Sequence, residues 1–281
     1  MALSDGRIAE LNELCRRFRI DVLTAIHAAQ SGHPGGSLSC CEILTYLYQE
    51  HMKLDANDAQ NPDRDRLVLS KGHAAPMLYR NLAEKGFFPV SEMATLRRMG
   101  GLAGHPNMHT AGVEMPGGPL GQGFPAAQGM AMALKLNKSP AKVYAVLGDG
   151  ELNEGVVWET AMSAAKFKLD NLIAIVDYNK VQLDGTTDEV MPLGDLAAKW
   201  EAFGWTVLEC DGHDLEALDF CISVADGAVG APTVIIANTV KGKGVSFMEN
   251  QVGWHGKAPN DEQYHAAMEE LEKALREEEA E

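Results

Sequence analysis

Ile8, Leu11, Cys15, Phe18, Val22, Ile26 and Ala29 recur at three- and four-residue steps, the spacing of one buried face of a helix. That helix is expected to end near Ser31-Gly32, because Pro34 turns His33 away from helical backbone. A second helix fits positions 38–49, and Asn61-Pro62 opens a polar loop. Positions 66–70 read as a short strand and 74–85 as a helix. From 100 to 123 glycine and proline crowd together, which predicts a long loop; inside a compact domain such a loop is usually functional or disordered. An Ala/Met-rich helix follows over 126–135.

The middle of the chain carries the clearest pattern. An apolar run at 143–147 ends in Gly148-Asp149-Gly150, a helical stretch covers 151–168, and a second apolar run occupies 172–176. Strand, helix, strand over about 35 residues is a βαβ unit, hence a parallel sheet. Further strands fit 206–209 and 233–237 with a helix over 216–225 between them, and a charged, acidic helix is expected from about 261. The expected fold class is α/β, a doubly wound, mostly parallel sheet with helices on both faces. No repeat or linker divides the chain, so 1–281 reads as one domain, long enough to bury a substantial core.

Charge narrows the partners. The chain has 24 Lys+Arg against 40 Asp+Glu, a formal net of −16, and residues 261–281 hold nine acids against Lys273 and Arg276. Such a surface excludes nucleic acid as the main partner, and any bound anion needs a local device to hold it. No run approaches 18 apolar residues, and the start, MALSDGRIAE, lacks an apolar targeting region, so neither a membrane span nor a secretory signal is expected. Cys15, Cys40, Cys41, Cys210 and Cys221 form no CxxC pair; free thiols in a reducing, cytoplasmic setting are expected.

Ligands of open α/β sheets bind beyond the carboxyl ends of strands, where Asp149 and Asn179 both fall. A carboxylate and an amide oxygen suit Mg²⁺ or Ca²⁺ beside phosphate oxygens, and backbone N–H groups at Gly150 and the following helix start suit a diphosphate. Gly-Asp-Gly is equally readable as a plain turn. His33, His73, His105 and His255 each sit beside glycine, and imidazoles so placed can bond hydroxyls and shuttle protons. His27, His51 and His265 fall in helical patterns and are given no role, while His109 and His213 stay open. The segment 117–123 formally contains a dinucleotide fingerprint at Gly121, Gly123 and Ala126, but no strand leads into it; a rigid loop beside a flat heterocycle and a simple helix-entry loop both fit. Lys241 follows a strand and can reach the same diphosphate, or can be a solvated turn residue. Glu154 reads either as an acid favouring a helix dipole or as part of a carboxylate network at an interface.

Together these segments resemble the transketolase family of thiamine-diphosphate enzymes. The motifs are SGHPGG (31–36), LSKGHAAP (69–76), AGHP (103–106), GGPLGQG (117–123), GDGELNEG (148–155), DYN (177–179), DGHD (211–214), TVKGKG (239–244) and WHGK (254–257), in family order across nearly the whole chain. The resemblance implies thiamine diphosphate and Mg²⁺ (or Ca²⁺ or Mn²⁺) as cofactors. It implies Asp149, Asn179 and the Val181 carbonyl as metal ligands, and Gly150, Lys241 and His73 on the diphosphate side. Gly118, Pro119 and Leu120 would lie along the cofactor, with Asn179 and His255 also touching it. His33, His73, His105 and His255 would surround the substrate, and Glu154 would belong to a carboxylate network coupling paired sites.

A full transketolase is more than twice as long, and the pyrimidine-binding part of the family pattern has no match here. The resemblance therefore implies the N-terminal subunit of a split transketolase, inactive alone and completed by a separate C-terminal subunit in a two-plus-two heterotetramer. The reaction implied is transfer of a two-carbon ketol group from a ketose to an aldose, as in the pentose phosphate pathway. The alternatives are a branched or modified sugar substrate and a non-catalytic cofactor-binding subunit.

Overall fold

The computed structural model describes residues 3–278; the last acids of the C-terminal run lie outside them. In chain order the elements are α1 (Asp5–Ala29), α2 (Pro34–Ser39), α3 (Cys41–Tyr46), β1 (Arg66–Leu69), α4 (Ala75–Glu84), α5 (Gly123–Leu136), β2 (Val143–Gly148), α6 (Gly155–Lys166) and β3 (Leu172–Tyr178). Then come α7 (Thr187–Val190), α8 (Leu196–Ala202), β4 (Thr206–Asp211), α9 (Leu215–Asp226), β5 (Thr233–Asn238) and α10 (Asp261–Glu278). The sheet is parallel throughout, in the order β1-β2-β3-β5-β4.

The near-continuous apolar runs of β2, β3 and β5 follow from burial on both faces. Tyr144, Val146, Ile173, Ile175 and Ile235 pack against α1, α3, α4 and α9 on one side. Their neighbours Ala145, Leu147, Ala174, Val176 and Ile236 pack against α5, α6 and α8 on the other. Each fully buried Val, Leu or Ile stabilises the fold by about 1.5–3 kcal/mol. A satellite core joins Leu23 and Leu38 to Val245, Met248 and Trp254, and α10 closes it through Ala267, Met268 and Leu271. The acidic C-terminal helix is thus seated on α1 by an apolar stripe.

α1 starts at Ser4, whose hydroxyl accepts the Arg7 N–H, and stops at Gln30 in left-handed conformation (φ 49°). Two expected helices turn out divided. The 38–49 helix begins earlier, with Pro34 as its first helical residue, and breaks at Cys40 (φ −97°, ψ 19°). It ends in a π-helical turn, Leu47–His51. The 151–168 helix is a 3₁₀ turn over Gly150–Asn153 and then α6, because Glu154 is extended (φ −75°, ψ 126°). The 96–122 stretch contains no helix or strand, as the glycine and proline density predicts. No helix among the described residues is long and apolar enough to cross a membrane.

Candidate active site

The carboxyl ends of β1, β2, β3 and β5 bring Lys71, Asp149, Asn179 and Lys241 to one cavity of about 160 Å³. Asp149 leaves β2 with its carboxylate turned back on the chain: Oδ1 accepts Gly150 N–H at 2.7 Å and Oδ2 accepts Lys180 N–H at 2.5 Å. Burial, and then the neighbouring Asp177, push its pKa up to about 6. The Gly150 N–H, expected to face a diphosphate, is therefore shared with Asp149. Asn179 Oδ1 accepts Val181 N–H at 3.1 Å, which fixes the turn after β3.

Lys241 is buried, and its ammonium donates to Val181 O at 2.8 Å, Gln182 O at 3.1 Å and His255 Nδ1 at 2.9 Å. Burial and the nearby Lys71 lower its pKa to about 8. Because His255 Nδ1 accepts, that ring carries its proton on Nε2.

Beneath these groups lies a buried ion pair that the sequence reading left without a role. Lys71 and Asp177 are 1% and 0% exposed and bond directly; Lys71 Nζ also donates to Gly36 O at 2.8 Å. Asp177 further accepts from the hydroxyls of Ser39 (2.6 Å) and Thr239. Burial works against both charges, but the mutual attraction wins, holding Lys71 above and Asp177 below their ordinary pKa values. This hub ties four of the motif segments to one another. Its signal in the sequence is a carboxylate closing an otherwise apolar strand, LIAIVD.

The four glycine-flanked histidines do assemble. His33 is central, with ring centroids 5.6 Å from His73, 5.5 Å from His105 and 5.7 Å from His255, while His73 and His255 lie 5.0 Å apart. A Cβ at Gly36 would stand 2.8 Å from His73 Nε2, so the glycine is what lets that imidazole in. Burial first, then neighbouring positive groups, lowers every one of these pKa values: His33 to about 4, His255 to about 3, His105 below its ordinary value and His73 well below. All four rings are neutral at pH 7, each offering one donor and one acceptor.

The loop over 117–123 rests directly on this floor, since a Cβ at Gly72 would meet Gly118 N at 2.9 Å. Leu120 lines the cavity and stays 38% exposed, and Pro119 is exposed beside it. The loop is pinned by Glu151, a residue the sequence reading missed: its carboxylate accepts from Gly121 N–H (2.8 Å), Gly148 N–H (3.0 Å) and Ser70 Oγ. Glu154 is not brought into the cluster. It is exposed, next to Gly121 at the start of α6. Of the two histidines left open, His109 lies on the exposed loop and His213 packs behind the site.

Comparison with known proteins shows the family. Residues 11–274 match the family model described as transketolase, thiamine diphosphate binding domain. The chain is 49% identical over 244 residues to the 6-deoxy-6-sulfo-D-fructose transketolase subunit SqwG of Clostridium sp. (strain MSTE9), covering 86% of this chain and 89% of that one. It is 45% identical over 258 residues to a subunit of the apulose-4-phosphate transketolase of Actinobacillus succinogenes, covering 91% and 92%. The solved transketolase of Campylobacter jejuni superposes with a TM-score of 0.87 at 33% identity. The alignment covers 93% of this chain and 42% of that one, so the chain spans less than half of that transketolase.

Proposed function

Because the chain belongs to the transketolase family, as its thiamine diphosphate binding domain, we propose that it is the N-terminal subunit of a two-subunit transketolase. It carries the diphosphate and metal half of a site that a pyrimidine-binding subunit completes, with two copies of each in the assembly. The observation that carries this reading is the convergence of the Asp149/Asn179/Val181 oxygens, Lys241 and four neutral imidazoles at the carboxyl end of the sheet. Its support from relatives is that two proteins named as transketolase subunits are matched over about nine-tenths of their own length.

The residues fit a divalent cation with a diphosphate. The donor set is hard oxygen, as Mg²⁺ requires, and the Val181 carbonyl already accepts an ammonium. Gln182, whose buried Nε2 has no hydrogen-bond partner among the described residues, lines the same cavity. Asp149, Asn179 and Val181 O would hold the metal. Gly150, Lys241 and His73 would hold the diphosphate, while Gly118, Pro119 and Leu120 would lie along the cofactor. The cavity is smaller than the about 300–1,000 Å³ that encloses a drug-sized ligand. Together with the exposed apolar residues Leu120 and Leu183 on its wall, this favours a second chain as the other side of the site.

Thiamine diphosphate, when bound, supplies the electron sink that lets the bond between C2 and C3 of a ketose break. The work of this chain is positional and protonic. Neutral His33, His105 and His255 bond the sugar hydroxyls and carbonyl, and they give or take protons as one aldose leaves and another enters. His255 does so from Nε2, because Lys241 occupies its Nδ1. Glu154, exposed at the start of α6, would join a carboxylate network across a subunit contact.

The relatives named for sulfofructose and apulose 4-phosphate favour a modified or branched sugar over an ordinary pentose phosphate. The test is ketol transfer assayed with thiamine diphosphate and Mg²⁺, for this chain alone and co-expressed with its C-terminal partner. Donors tested are xylulose 5-phosphate, 6-deoxy-6-sulfofructose and apulose 4-phosphate. Activity confined to the mixture is expected; full activity of the isolated chain, or no cofactor binding by the mixture, would overturn the proposal.

A further inference from the structure

In the segment Asp211-Gly212-His213-Asp214 three residues have local work. Asp211 Oδ1 accepts the His213 backbone N–H at 2.8 Å, and Asp214 caps α9 by accepting the N–H groups of Glu216 (2.9 Å) and Ala217 (3.2 Å). Gly212 donates to Asn238 O at 2.7 Å, and a Cβ there would stand 2.5 Å from Thr239 Cγ2. The His213 ring serves none of this. Its Nδ1 lies 2.8 Å from Glu42 Oε2, and its Nε2 accepts the Val240 backbone N–H at 2.8 Å. An accepting Nε2 means that Nδ1 carries the proton and donates it to Glu42.

Glu42 is itself fixed. It is buried and ion-paired with Arg19 at 2.7 Å, and Arg19 Nε donates to Lys243 O at 3.0 Å. Arg19, Glu42 and His213 therefore grip the segment after β5 at Val240 N–H and Lys243 O, on either side of Lys241. Gly242 N–H adds a third tie, to Gly35 O at 3.0 Å. Lys241, held between these points, reaches Val181 O, Gln182 O and His255 Nδ1.

We propose that His213 is a positioning residue for Lys241: by accepting the Val240 N–H from a ring locked by Glu42, it sets the backbone that aims the ammonium at the diphosphate end and at His255. The cofactor half of this inference rests on the thiamine diphosphate reading above; the backbone half does not. Side-chain shape separates the two bonds. In His213→Gln an amide oxygen reaches the position of Nε2 and still accepts the Val240 N–H. In His213→Asn the amide nitrogen replaces Nδ1 and still donates to Glu42, but nothing reaches Val240.

The first measurement is hydrogen exchange, by mass spectrometry, of the peptide spanning 238–245 in the two-subunit complex without cofactor. Exchange at Val240 is expected to quicken about tenfold or more in His213→Asn and to stay near wild type in His213→Gln. The second is titration of the complex with thiamine diphosphate at fixed Mg²⁺, followed by tryptophan fluorescence. The dissociation constant is expected to rise about tenfold in the Asn variant and less than about threefold in the Gln variant. Unchanged exchange in His213→Asn, or equal losses in both variants, would overturn the proposal. If the wild-type complex binds no thiamine diphosphate, the functional reading fails while the exchange experiment still decides the role of His213.

Discussion

The two ends of the central sheet each bury a polar network built from the same kinds of residue, and they differ in how well its members are satisfied. At the amino end Tyr46 Oη donates to Asp219 at 2.6 Å and Tyr144 Oη to Asp226 at 2.9 Å. His51 Nε2 lies 3.0 Å from Tyr144 Oη and 3.1 Å from Asp226, and Lys142 Nζ donates to the carbonyls of Asp170 and Asp226 at 3.1 and 2.8 Å. Both phenols are pushed up, by burial and then by their carboxylates, and so stay protonated as donors. At the carboxyl end like charges are pressed together: Lys71 lowers Lys241, Asp177 raises Asp149, and imidazoles crowd round His33. Burial and like charges there pull the pKa values of Lys241 and Asp149 toward neutral pH, the mark of a functional site, whereas the shifts at the amino end only keep two phenol donors in place.

The sharpest way to break this contrast is at the ion pair beneath the site. Asp177→Asn leaves a buried, unpaired Lys71 and is expected to destabilise the chain by about 3–5 kcal/mol, read from urea unfolding. At the amino end Asp226→Asn keeps an acceptor oxygen for Tyr144 in a half-buried network, and a loss of about 1–3 kcal/mol is expected. Equal losses would show that Lys71–Asp177 is no special foundation. Asp149→Asn should separate binding from folding. It removes a buried charge from beside Asp177 but leaves one of the Gly150 and Lys180 N–H groups without an acceptor, so a stability loss smaller than that of Asp177→Asn is expected without metal, while Mg²⁺-dependent binding of thiamine diphosphate is lost. Calorimetric titration against the melting curve tests both halves.

The histidines give a smaller, paired test. His255→Ala is expected to lower turnover of the two-subunit enzyme about 10²–10⁴-fold, with little change in unfolding midpoint. His51→Ala is expected to cost about 1–3 kcal/mol of stability and to leave turnover per folded molecule unchanged. The reverse pattern would exchange the roles of the two ends.

Which of these residues could be read from sequence follows from what each depends on. Asp149 and Asn179 end apolar strands, so their position is set by local pattern, and the glycine beside each imidazole marks a close approach. The apolar runs of β2, β3 and β5 were legible for the same reason. Glu151 and Asp177 were missed because their partners are remote in sequence: Glu151 accepts from Ser70 and Gly121, and Asp177 pairs with Lys71, 106 positions away. The breaks at Cys40 and Glu154 were hidden too, since neither is glycine or proline and tertiary packing sets both backbones. His213 stayed open because its role is the bond it makes to a backbone amide 27 positions on.

The last comparison is the pH dependence of stability, whose sign follows from the imidazoles. In the unfolded chain these histidines take up protons below about 6.5. In the fold, burial holds His33 to about 4 and His255 to about 3, so the folded state refuses protons that the unfolded state accepts. Their contribution is complete above pH 6.5 and is lost as pH falls toward 4, so stability declines across that window. The double variant His33→Gln/His255→Gln removes two of the responsible groups, and its unfolding midpoint is expected to fall less steeply between pH 6.5 and 5 than that of wild type. A slope as steep as that of wild type in the double variant would mean that these two imidazoles do not carry the acid sensitivity, and the electrostatic half of the contrast between the two ends would fall.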